Sequence, residues 1–195
     1  MTDGLVVGDD GRARCAWGTS GVEYRAYHDE EWGRPVRGEQ PLFERFTLEA
    51  FQSGLSWLTI LRKRPAFREA FEGFDPEVVA RYSGTERARL LADAGIVRNR
   101  AKVDAAITNA GAVLRMRDQG GLDALVWSFA PDPPPPSPQT PADVPAITRE
   151  STALARALKK RGMVFVGPTT AYAAMQACGL VDDHLAGCHR HPARA

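Results

Sequence analysis

Two cysteines and two histidines stand at opposite ends of a chain that holds only 3 Cys and 4 His in 195 residues. "RCAWG" carries Cys15 and "AYHDEEWG" carries His28; far downstream, "VDDHLAGCHRH" carries His184 and Cys188. Two thiolates and two imidazoles are the donor set of a closed tetrahedral zinc site, in which every ligand comes from protein. The H-x3-C spacing suits one helical turn or a tight loop, where such a pair shares a face. A metal there would close a very long loop and pin two segments that otherwise fray. The plainer alternative makes Cys188 a small buried hydrophobe and His184, His189 and His191 a polar tail, and the nearness of His189 and His191 leaves the choice of imidazole open. An open, catalytic zinc is disfavoured, because no HExxH-type pattern is present.

A second group of residues points to ring recognition. Trp17, Tyr24, Tyr27 and Trp32 crowd the N-terminal region, and "TLEAFQSGLSW" sets Glu49 beside an apolar helical stripe of Leu42 and Phe46, with Trp57 just past the stop at Gly54. A carboxylate on an apolar face is costly unless it is paired. It is either an edge residue reaching water, or one wall of a pocket in which aromatic faces sandwich a flat ring and the anion accepts its N–H groups. Aromatic faces attract a cationic ring most strongly.

A third group is a turn between helices. "LLADAGIVRNRAK" breaks at Gly95 and then turns basic at Arg98, Arg100 and Lys102. Such a turn can aim backbone N–H groups at a phosphate, although many helical hairpins contain a glycine. Further basic clusters are "LRKRPAFR" and "LKKRG", yet the net charge is only +1, so the total charge makes no case for nucleic acid.

The elements that would hold these groups are helical almost throughout. The spacing predicts a helix over residues 41–54, another opened by Pro65, one capped by Asp75 ahead of Pro76, one ending at Gly95, and a long one over 100–118. Short helices follow at "LDALVWSF", "STALARALKKRG" and "GPTTAYAAMQACG"; only "MVFVG" reads as β. "APDPPPPSPQTPADVP" is an extended surface connection, a plain linker in preference to a ligand for a proline-binding module. No apolar run approaches the ~20 residues of a membrane helix, and the acidic, glycine-bearing start is unlike a signal peptide. The expectation is a cytoplasmic chain without a disulfide framework, since Cys15, Cys178 and Cys188 are odd in number and spread out. Residues 1–13 are expected to be disordered and 14–190 to form one domain: a central helical block (41–129), a linker (130–145), a metal-bearing lobe (14–40 with 146–190), and a tail (191–195).

"AYHDEEWGRP", "LEAFQSGLSW", "DAGIVRNRAK", "LKKRG", "FVGPTTAYAAMQACGLVDDH" and the flanking "RC.W" and "GC" together resemble the 3-methyladenine DNA glycosylase I family, a zinc-containing branch of the helix-hairpin-helix glycosylases, over residues 14–188. The resemblance implies an all-α, helix-hairpin-helix glycosylase-like fold with both chain ends tethered by one structural Zn2+ on Cys15, His28, His184 and Cys188. It implies a base pocket of Tyr24, Tyr27, Trp32 and Trp57 with Trp17 close by, and Glu49 as the catalytic carboxylate. The hairpin over 94–100 would grip the DNA backbone through Gly95, Arg98, Arg100 and Lys102, and the turn at Leu55 would fill the gap left by an extruded nucleotide. Ala50 and Phe51 stand where relatives often have a glycine and a polar residue. The implied activity is excision of 3-methyladenine from alkylated double-stranded DNA by base flipping, by a monomer without membrane contact that is nucleoid-associated during repair. No lysine sits in a block that the family uses for Schiff-base chemistry, so strand cleavage is not expected. The alternatives are a non-catalytic, zinc-stabilised binder of alkylated DNA and, further off, a metal-dependent hydrolase.

Overall fold

Short polar side chains and prolines set the helix ends, and the computed structural model describes residues 4–191. A two-stranded antiparallel hairpin comes first, β1 (Leu5–Val7) against β2 (Ala13–Cys15), with Leu5 opposite Cys15. Nine helices follow among the described residues: α1 (Val22–Glu30), α2 (Glu39–Gln52), α3 (Trp57–Ala70), α4 (Pro76–Val79), α5 (Gly84–Ala92), α6 (Arg100–Met116), α7 (Gly121–Trp127), α8 (Arg149–Lys160) and α9 (Pro168–Ala177). Ser56, Asp75, Ser83, Asn99 and Thr148 each accept a backbone N–H at a helix start, and Ser83 with Glu86 forms a reciprocal capping box.

The core is built around α2, which buries Leu42, Phe43, Phe46, Leu48 and Phe51 completely or nearly so. Phe67, Phe71 and Phe74 stack in turn and Phe51 meets Phe67 and Phe71 edge-on, joining α2 and α3 to the segment before α4. α6 packs on α2, α4 and α5, and α9 packs on α2 and α8. A separate small apolar cluster of Cys15, Leu185 and Cys188, flanked by Leu5 and Trp17, joins the two chain ends.

Four expectations change. Residues 5–7 and 13–15 pair as strands rather than lying disordered, because Arg14 is buried and fixed by Asp10 (2.7 Å) and Asp29 (2.8 Å), which locks the hairpin to α1; residues 1–3 lie outside the described part. "MVFVG" forms no strand, since Asn109 takes both backbone groups of Val164 (3.0 and 2.7 Å) and leaves none for a ladder. Pro65 does not open a helix but lies inside α3. It faces solvent, while Ile60, Phe67 and Ala70 keep the helix packed. The proline run is not free of the body: Ala186 N–H donates to the Pro138 carbonyl (2.9 Å), and Ser137 is hydrogen-bonded to His191. The expected tail over 192–195 lies outside the described residues. No helix among the described residues is long and apolar enough to cross a membrane.

Candidate active site

Six segments meet at one cavity of about 380 Å3. A 3-10 turn over Ala16–Thr19 supplies Trp17; α1 supplies Tyr24 and Tyr27, one turn apart; Trp32 follows α1; α2 supplies Glu49 and Gln52; Trp57 is the first residue of α3; α9 supplies Ala173 and Gln176. Trp17 meets Tyr24 and Trp32 edge-on, with centroids 5.9 and 4.9 Å apart, and Tyr27 lies tilted against Trp57 at 5.4 Å. The Tyr24 hydroxyl accepts the Leu58 N–H (3.1 Å) and so ties α1 to the start of α3. Every base-pocket residue expected from the sequence is at this cavity.

Glu49 is 6% exposed, and its carboxylate has no hydrogen-bond partner among the described residues. Burial pushes its pKa up to about 8, against a downward pull from Arg45 one turn earlier on α2. The indole Nε1 of Trp57 is likewise buried without a partner. Buried polar atoms are normally satisfied, so a buried N–H without a partner beside a partnerless carboxylate at the cavity wall marks the place of a ligand that is polar at its edge and flat in its body. Behind this wall Glu31 takes Arg45 (2.8 Å) and Arg64 (2.6 Å). Burial works against that carboxylate, but the Arg64 and Arg45 guanidiniums hold it down at about 2.

The Cys/His donors also converge. The ligand atoms of Cys15, His28 and Cys188 lie within 4.8 Å of one another, and all three residues are buried. His184 is beside them without completing that set: its ring stands edge-on to His28 at 4.8 Å, and its Nε2 lies 3.4 Å from the His28 carbonyl oxygen. Asp29 holds His28 Nδ1 at 2.8 Å and Asp182 holds His184 Nδ1 at 2.7 Å, which leaves Nε2 of each ring for the cluster. A carboxylate on the far nitrogen is the usual support of a metal-binding histidine. The closeness of the two thiols, helped by burial, pushes Cys15 up, and the same closeness, with His28, pulls Cys188 down. The free thiols, the buried setting and the braced imidazoles fit a tetrahedral cation. His189 is stacked on His28 at 6.0 Å and lies 3.5 Å from Asp29, so it flanks the cluster. Cys178 belongs to the main core.

The turn between α5 and α6 places Arg98 and Arg100 in solvent without an ion-pair partner among those described, and Lys63 Nζ holds the Ala94 and Gly95 carbonyls at 2.8 and 3.2 Å. Gly95 is required by closeness: a Cβ there would fall 2.9 Å from Asp93 and 3.0 Å from Ala66. Lys102 is a correction. It is 8% exposed, and its ammonium donates to the Phe51 (2.9 Å) and Ser53 (2.6 Å) carbonyls, so it points into the protein and caps the end of α2. Two positions separate it from the exposed Arg100, about 200° of helix rotation, which carries it from the solvent face to the packed face. Leu55 stands 40% exposed in the turn that Lys102 supports.

Sequence reasoning missed Gln52, Ala173, Gln176, Asp29 and Asp182. Gln52 was within reach, since it follows Glu49 by one turn on the same helix; Asp29 and Asp182 sit next to or near the histidines they brace. Gln176 carries no local signal, because α9 reaches the cavity only by packing against α2. Ala50 and Phe51 lie in the core instead, 4% and 0% exposed, and do not line the cavity.

An aromatic cage around a buried carboxylate, on a helical body with a basic turn beside it, defines a protein that takes up a flat, electron-poor ring. A family model for methyladenine glycosylases matches residues 17–191. DNA-3-methyladenine glycosylase 1 of Escherichia coli is 46% identical over 181 residues, covering 92% of this chain and 97% of that protein. A crystal structure of 3-methyladenine DNA glycosylase I superposes with a TM-score of 0.87 at 46% identity, covering 92% of this chain and 100% of that one. A 3-methyladenine DNA glycosylase I from Staphylococcus aureus, solved to explain its recognition of 3-methyladenine, superposes at 0.86 with 35% identity, covering 93% and 96%. The chain belongs to the methyladenine glycosylase family.

Proposed function

We infer that the cavity takes 3-methyladenine out of alkylated DNA, the activity for which the Escherichia coli relative is named. The enzyme class is a glycosylase that hydrolyses an N-glycosyl bond. Methylation at N3 leaves the base positively charged while still on its sugar. When the C1′–N9 bond breaks, both electrons go to the base and cancel that charge; water adds its oxygen to C1′ and gives up a proton to solvent. A leaving group already primed in this way needs little acid catalysis. The protein's task is to hold the nucleotide extruded from the stack, to stack its cationic ring among Trp57, Tyr27, Tyr24 and Trp32, and to orient it on Glu49. The observation that carries this reading is the largely buried, partnerless Glu49 side chain at the cavity wall beside the buried, partnerless Trp57 indole N–H in an aromatic cavity.

Three finer points belong to the same proposal. Cys15, His28, His184 and Cys188 would hold one structural zinc ion, which would supply a cross-link between the chain ends; the mutual approach of Cys15, His28 and Cys188, with His184 beside them, supports it. The α5–α6 hairpin grips the backbone of double-stranded DNA through its exposed turn, Arg98 and Arg100, with Leu55 in the vacated gap. The reaction is monofunctional, since Lys102 is committed to two carbonyls and does not line the cavity. The protein acts as a monomer in the cytoplasm.

The test is to incubate methylated duplex DNA with the purified, zinc-loaded protein and identify soluble bases by chromatography. Release of 3-methyladenine, sharply slowed by Glu49→Gln, is the expected result. Tight binding to alkylated DNA without release of any base would favour the non-catalytic binder.

A further inference from the structure

Phe165 is an outward-facing aromatic that the site does not account for. Its backbone is left-handed (φ +55°), and its ring is 44% exposed beside Val164 at 41%. Left-handed backbone is costly for an aromatic residue and needs a reason. Phe74 shows the ordinary reason: it has φ +60° but is fully buried in the ring stack of the core. Phe165 has no such packing, yet its loop is firmly held. Met163 and Val166 on either side are buried at 2% and 1%, and the buried Asn109 donates to the Val164 carbonyl and accepts its N–H. The outward ring is therefore imposed by its surroundings, and strain of this kind gathers at functional positions.

The loop also shares its support, α6, with the Leu55 turn proposed to meet DNA. Lys102 and Asn109 lie two turns apart on one face of α6; the first supports the Leu55 turn through Ser53, and the second supports Phe165 through Val164. The rise of the helix puts those two supports about 10 Å apart along its axis. α9 begins directly after the loop, and its face through Thr169 leads on to Ala173 and Gln176 in the cavity wall.

We propose that Phe165, with Val164 beside it, is a second apolar contact on the damaged duplex and works together with Leu55. It rests on the glycosylase reading above. The supports of the two side chains on α6 stand about 10 Å apart along the helix, which suits contacts at two places on the duplex rather than in one gap. Leu55 occupies the space left by the flipped nucleotide, and Phe165 bears on the stacked bases across the minor groove, supporting the deformed duplex as apolar wedges do. An aromatic face stacks on any base, which suits an enzyme that meets its lesion in every sequence context.

The experiment compares single-turnover release of 3-methyladenine from methylated duplex DNA by the wild-type protein, Phe165→Ala, Phe165→Gly and Phe165→Leu. Affinity for free 3-methyladenine, metal content and thermal midpoint are measured for each. The alanine and glycine variants should cleave about tenfold more slowly, with free-base affinity and metal content unchanged and partial recovery in the leucine variant. Phe165→Gly should melt no lower than wild type, because glycine relieves the left-handed backbone. Wild-type rates in the alanine and glycine variants would overturn the proposal, as would a loss of rate that comes with a lower melting point or weaker free-base binding. A wild-type protein that releases no base would instead remove the glycosylase reading itself.

Discussion

The Trp17 indole meets the His28 imidazole edge-on with ring centroids 5.1 Å apart, so the cavity and the Cys/His cluster share a wall. Trp32 and His184 repeat the contact at 4.7 Å. Two of the aromatic walls of the base pocket thus lean on the imidazoles proposed to hold zinc. Behind them, Asp29 is shared between His28 and the buried Arg14, which carries the bracing on to the N-terminal hairpin.

Removing the metal should therefore weaken the pocket as well as the fold. A cross-link that closes a long loop contributes on the order of 3 kcal/mol, which for a chain of this size is roughly 6–12 °C in thermal midpoint. Chelation should lower the midpoint by that amount, change the tryptophan emission and weaken binding of free 3-methyladenine together. A midpoint that drops while base affinity stays at its holo value would show that the two sites are independent.

Glu49 makes stability and activity respond to pH in opposite senses. Its pKa in the fold is raised to about 8 from an ordinary value of 4.5. The folded protein thus binds the extra proton between those values, and the stability it brings is complete below 4.5 and lost as pH rises through 8. The slope for one such proton is about 1.4 kcal/mol per pH unit. Glu49→Gln, a neutral mimic, should flatten this part of the stability curve and equal or exceed the wild type at about pH 9, above the folded-state value. The carboxylate form is the one that attracts a cationic ring, so kcat/KM on methylated DNA should climb toward about pH 8 in the wild type and stay flat in the variant. Parallel pH profiles for the two proteins would remove Glu49 from its role.

The basic residues after the hairpin should separate into two kinds. Arg98→Ala and Arg100→Ala are each expected to weaken DNA binding across all sequences and to reduce the dependence of log K on log salt by about one. Lys102→Met should leave that slope unchanged. It strips two carbonyls of a charged donor, so it should cost about 1–3 kcal/mol of stability and slow base release by loosening the Leu55 turn. A reduced salt slope in Lys102→Met, measured on folded protein, would return Lys102 to the DNA surface.

Much of the fold and the site is legible in the chain's own residues. Helix ends announce themselves through local chemistry: Asp75 before Pro76, Ser83 with Glu86, and Asn99 ahead of the basic turn act within one turn of chain. The aromatic residues and Glu49 can be picked out because such residues are expensive to leave in place without a use. What fails are inferences that depend on which face a residue shows. Lys102 follows Arg98 and Arg100 in the chain and shares their charge, yet the rotation of the helix turns it inward. "MVFVG" has strand-forming residues but no partner strand, and Asn109, distant in sequence, claims its hydrogen bonds.

The sequence by itself determined that this is a helical protein of the methyladenine glycosylase family, with a set of rings, one misplaced carboxylate and two Cys/His pairs in need of each other. Only the tertiary structure decided that Gln176 reaches the cavity, that the Cys/His cluster and the aromatic cavity lean on one another, and that Phe165 stands outward. Helix starts, stops and amphipathic faces are written into neighbouring residues. Which wall meets which, by contrast, is set by the packing of α9 and the two chain ends against α2, and that packing joins residues too far apart in the chain for any local pattern to record.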